Sequence, residues 1–63
     1  MTDQPMDLAA LETWWESLAA GIDRAGPEHE ALFLAKLALL LGREVGDTET
    51  CQRLLQTALE DLT

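Results

Sequence analysis

From Ala31 to Val45 the chain reads ALFLAKLALLLGREV, its most apolar stretch. At 100° per residue, Leu32, Phe33, Leu34, Leu37, Leu39, Leu40 and Leu41 fall on nearly every side of a helix. Its one polar stripe is His29, Lys36 and Arg43, spaced seven apart. A helix apolar almost all round is normally covered on several sides. Upstream, Leu8, Leu11, Trp15, Leu18 and Ile22 recur by threes and fours, Trp14 and Ala19 widen the stripe, and Glu12, Thr13, Glu16 and Ser17 lie opposite. Downstream, Cys51, Leu54, Leu55, Ala58, Leu59 and Leu62 share one side, with Gln52, Arg53, Gln56, Glu60 and Asp61 on the other. Three amphipathic helices are predicted.

Local chemistry sets their bounds. Residues 1–6 are expected to be a frayed tail, and Asp7 to cap a first helix over about 7–24, because its carboxylate can accept from the free N–H groups of the first turn. Gly21 weakens the last turn, so that helix ends between Ala20 and Ala25. Gly26-Pro27 breaks the chain, and proline suits the first position of a second helix over 27–45, with Glu28 and Glu30 at its positive end and Arg43 at its negative end. Gly46 is its left-handed cap. Gly42 either costs stability or, the preferred reading, permits close approach of a neighbour. Asp47 caps a third helix over 48–62. The expected architecture is a small all-α, three-helix unit, an up-down hairpin plus a third helix. Its expected core is Leu8, Leu11, Trp15, Leu18, Leu37, Leu41, Leu55, Ala58 and Leu62.

Length changes the picture. A fold of 63 residues buries only about 60% of the surface of its unfolded chain, and stability at that size usually needs a staple. The single Cys51 cannot form an internal disulfide, and no Cys/His cluster offers four metal ligands. Association with another chain is the remaining common route, and the leucine-rich helix independently points to it. Oligomerisation, a homodimer above all, is therefore expected to complete the fold.

Charge narrows the partner. With twelve acidic residues against four basic ones, the formal charge of −8 would repel a phosphate backbone, which excludes nucleic acid as a partner. Hydrophobic content of 48% is too high for a disordered acidic tail. The stretch MTDQPMD has neither the basic nor the apolar region of a secretory signal, and no apolar run is long enough to span a bilayer, so a cytoplasmic location without membrane attachment is expected.

The residues Trp14-Trp15-Glu16-Ser17-Leu18, then Ala35-Lys36-Leu37-Ala38-Leu39-Leu40-Leu41, then Val45-Gly46-Asp47 resemble a family of short, uncharacterised bacterial helical proteins, a domain of unknown function. The match runs ungapped over roughly half the chain. In that family the aromatic pair is usually Phe-Tyr, a basic residue stands at the place of Lys36, and Asn is common where this chain has Leu34. A histidine near the end of the family's first helix has no counterpart, since Ile22 and Asp23 occupy that region. The resemblance implies no catalytic residues. It implies an accessory protein encoded beside oxidative catabolism enzymes, some of them flavin-dependent.

Candidate chemistry is sparse. His29, Lys36 and Arg43 form either a solvated seam or the rim of a partner site. Adjacent tryptophans differ by 100°, so Trp15 is assigned to the core and Trp14 to an interface, where this side chain is enriched. The alternative is that both widen one core. Leu32, Phe33, Leu39 and Leu40 would complete the intermolecular patch. Cys51 reads as packing, Glu12 and Glu16 as a wet face, and Ser17 lies within a helix rather than at its start, unlike the serine of a carrier protein. Nothing resembles a nucleophile with its base, a phosphate loop or a zinc knuckle, so no enzyme, cofactor or metal is expected. The expected function is protein association, as a self-associating module, as an accessory subunit of a larger enzyme, or both. The alternatives are an acidic, antitoxin-like antagonist and a small anion-binding protein using Lys36 and Arg43.

Overall fold

A computed structural model describes residues 5–62. They form α1 (Leu8–Ala25), α2 (Glu30–Val45) and α3 (Thr48–Glu60), with no strand among the described residues. The all-α, three-helix unit is thus what the chain adopts. No described helix is long and apolar enough to cross a membrane. Of the expected tail, residues 1–4 lie outside the described residues; Pro5 and Met6 precede the helix and are exposed.

Each helix begins and ends for a local reason. Asp7 Oδ1 accepts from the Ala10 amide at 2.8 Å and starts α1. Gly26, at φ +81°, ends it with its amide on the Ile22 carbonyl. Residues 27–29 make a turn, so α2 starts three residues later than the proline predicts. His29 sits at φ −116°, ψ 7°, outside helical geometry, and its carbonyl accepts the Phe33 amide at 2.8 Å. Gly46 adopts the left-handed conformation at φ +77° and closes α2 through a 2.9 Å bond to the Gly42 carbonyl. Asp47 Oδ2 then accepts from both the Thr50 amide, at 3.1 Å, and the Thr50 hydroxyl. These bonds from Thr50, the hydroxyl first, hold the Asp47 carboxyl below its ordinary value of 3.8. Helix α3 stops at Glu60, and Asp61 and Leu62 form a turn rather than its last residues.

Packing is where the structure departs from expectation. Helix α1 touches α2 and α2 touches α3, but α1 and α3 make no contact. No described residue is buried. Of the expected core only Leu18 and Leu37 are even half-buried; Leu8, Leu11, Trp15, Leu41, Leu55, Ala58 and Leu62 are exposed. The reason is the attachment of α3. Its half-buried residues, Thr50 and Cys51, both lie in its first turn, so the rest of its apolar face has nothing opposite. The chain exposes 5831 Å². A compact protein of 6.9 kDa exposes about 4,000 Å². The radius of gyration of 12.8 Å likewise exceeds the roughly 10.6 Å of a closed fold this long.

The α1–α2 corner is the best-packed part. A Cβ added to Gly21 would stand 2.8 Å from Phe33 Cζ, so the glycine makes room for the ring. Phe33 is accordingly half-buried inside the chain instead of displayed on an outer patch. Close approach belongs to Gly21 and not to Gly42, where an added Cβ would meet Cys51 Sγ at an ordinary 3.7 Å.

Two outcomes follow. In thermal melts at fixed chain concentration, Gly42→Ala should stabilise by up to about 1 kcal/mol through helix propensity. Gly21→Ala should gain less or lose, and Gly46→Ala should lose about 1 kcal/mol because alanine resists the left-handed cap. The Asp47 pKa is depressed, so its cap contributes above pH 3.8 and is lost as pH falls below that value. The loss of helicity in Asp47→Ala relative to the wild type, read by circular dichroism, should therefore be largest at neutral pH and shrink on acidification below 3.8.

Candidate functional site

Three exposed apolar surfaces remain once the helices have met. On α1, Leu8, Leu11, Glu12, Trp14 and Trp15 line an open, largely apolar depression of about 420 Å³. The two tryptophans are placed opposite to the sequence assignment. Trp14 is half-buried, and Trp15 is 62% exposed. The cause is the side of α1 that meets α2. That side is marked by Leu18, Gly21, Ile22 and Ala25, all half-buried, and Trp14 precedes Leu18 by four and Gly21 by seven. Trp15 lies 100° away from Trp14.

On α2 the exposed leucines are Leu32, Leu39, Leu40 and Leu41, with Leu39 at 76% the most exposed of them. His29, Lys36 and Arg43 are exposed as well, and at 100° per residue they fall in the same sector, between Leu32 and Leu40. The α2 surface is therefore leucine interrupted by positive charge. Cationic heads there can stay in water while their stems cover apolar surface.

The third surface is the face of α3. Cys51, half-buried beside Gly42, opens a stripe that continues through Leu54, Leu55, Ala58 and Leu59, all exposed. Sequence reasoning placed this stripe in an internal core and so missed it as a surface. The available signal was quantity: three apolar helix faces in 63 residues exceed what one small core can hide.

Glu12 and Glu16 are exposed on α1. Among the described residues no three His, Cys, Asp or Glu side chains come together as a metal site. Cys51 is a free thiol in contact distance of α2. The hydroxyls of Thr13 and Thr57 donate to the carbonyls of Ala9 and Arg53 within their own helices. A second, smaller depression of about 250 Å³ lies at the α1–α2 corner against Gly21, Arg24, Ala25 and Phe33. The larger depression offers mainly apolar surface.

No family model, curated protein or solved structure matches the chain.

The inverted tryptophans give a direct check. Trp14→Ala should cost about 2 kcal/mol in denaturant unfolding, a half-buried fraction of the usual core penalty. Trp15→Ala should cost clearly less in the dissociated chain. Equal losses would contradict the placement of α1.

Proposed function

We propose that the protein works by association, as an interaction module whose fold is completed by another polypeptide. The observation that supports this most strongly is that none of the described residues is buried, in a chain that exposes 5831 Å². Thirteen large apolar side chains among the described residues stand exposed, from Met6 to Leu62. Fully covering a leucine contributes roughly 1.5–3 kcal/mol, so covering half a dozen partly exposed ones contributes on the order of 10 kcal/mol. That matches the whole net stability of an ordinary domain, about 5–15 kcal/mol. Partner binding and stability are then one free energy.

The excess over a compact protein, about 1,800 Å², sets the scale of the missing interface. Even half of it exceeds the roughly 800 Å² that each partner contributes to a standard interface. The reading covers self-association and a role as accessory subunit of a larger enzyme. An antagonist is the same physics with a basic target, drawn by the −8 charge. The anion-binding alternative has no observation in its favour, since Lys36 and Arg43 line neither depression described above. No reaction or cofactor is assigned to the chain.

The test is to follow native mass and the binding of a hydrophobic dye by the purified chain across concentration. The expected result is a multiple of the chain mass, or a dissociated chain that binds dye strongly and is stabilised by its partner. A folded species of one chain mass that melts cooperatively and binds no dye would overturn the reading.

A further inference from the structure

We infer that α3 folds on contact: its first turn is built into the chain, whereas residues 54–60 hold their helix in full only when the apolar stripe they carry is covered. This rests on the association reading for the act of covering and adds how that act is regulated. It holds for whichever chain does the covering.

The two ends of α3 are built differently. At its start, the Asp47 carboxylate accepts from the amide and the hydroxyl of Thr50, and the Cys51 amide donates to the Asp47 carbonyl at 3.1 Å. Glu49 stands at the positive end of the helix dipole, and Thr50 and Cys51 are half-buried. None of these devices recurs at the other end. The C-cap is Asp61 in right-handed geometry, and the last turn holds no basic residue. By contrast α1 and α2 each close on a glycine at positive φ, Gly26 and Gly46, with Arg24 and Arg43 in their last turns. Of the three described helices, α3 therefore ends with neither a left-handed cap nor a cation, and sets the Asp61 carboxylate against the negative end of its dipole.

Packing does not make up the difference. Half-buried residues recur on α1 from Trp14 to Ala25 and on α2 from Phe33 to Gly42, but every residue of α3 after Cys51 is exposed. The thirteen residues of α3 fall within the length, roughly 12–15, at which an isolated helix is marginal in water and takes its stability from packing. Composition keeps the segment close to balance. Leu54, Leu55, Gln56, Ala58 and Leu59 are good helix formers, so covering the stripe is enough to tip it. Helix and stripe form together, because Leu54, Leu55, Ala58 and Leu59 share one side only in the helical conformation.

Affinity is then set partly by residues that touch nothing. A chain whose binding-competent state is only partly populated binds with an affinity reduced by that fraction. Gln56, exposed and on the polar side of α3, is such a residue.

The experiment reads α3 helicity residue by residue from the Cα chemical shifts of the full chain, associated and dissociated, and compares Gln56→Ala with Gln56→Gly by sedimentation equilibrium. A variant carrying Leu54→Gln, Leu55→Gln and Leu59→Gln supplies a stripe that cannot be covered at any concentration, and glutamine is itself a good helix former. In the dissociated chain and in this variant, residues 54–60 should show less than half the helical shift of α2 while residues 48–51 stay helical. On association residues 54–60 should reach the α2 level. Gln56→Ala should associate roughly threefold or more tightly than Gln56→Gly. For a chain that stays single yet binds dye, the shifts alone decide. Residues 54–60 as helical as α2 in the dissociated chain, or equal association of the two Gln56 variants, would overturn folding on contact and leave association standing. A folded single chain that binds no dye would overturn the association reading, and the act of covering with it.

Discussion

Closing a three-helix unit requires the third helix to lie across the first two, and here α3 meets α2 alone. Gly46 in the left-handed conformation and Asp47 in an extended one turn the chain within two residues. The contact that follows is Cys51 against Gly42, in the first turn of α3. Beyond it α3 runs clear of α1. Everything else about the molecule depends on that divergence: the missing buried core, the apolar stripes left on α1 and α3, and the surface too large for the mass.

Local and tertiary order therefore have different sources. The helix ends are built by strong local chemistry, two aspartate caps and two glycines at positive φ. Such devices fix where helices start and stop without fixing how they pack. Phe33, in the space left by Gly21, marks the α1–α2 corner. That corner joins α1 to α2 through half-buried residues from Trp14 to Ala25 without burying any of them fully.

The sequence made the helices legible because period and capping residues agree. Leu8 to Ile22 keeps its threes and fours, and both aspartates fall at the position where a carboxylate is useful. Pairing was not legible. Periodicity says that Trp15 belongs to an apolar stripe and does not say whether that stripe meets α2 or another molecule. Trp14 lies only 100° away and took the inner place because Gly21 and Ala25, further along the helix, made that side the approachable one. Phe33 misled for the same reason: a small residue one helix away decided its direction. Leu55 and Ala58 have a core pattern without a core to enter. The outward leucines Leu32, Leu39 and Leu40 were legible from the wheel, since an all-round apolar helix must expose some of its surface in so small a unit.

Amide hydrogen exchange of α3 as a function of chain concentration tests the central claim most directly, because protection of a helix reports what covers it. An α3 held only through its first turn should exchange almost freely in the dilute, dissociated chain and become protected, together with the Leu8 to Trp15 part of α1, as association proceeds. Protection of α3 that is high and unchanged down to the dissociated chain would mean that the helix is covered from within, and would contradict the account.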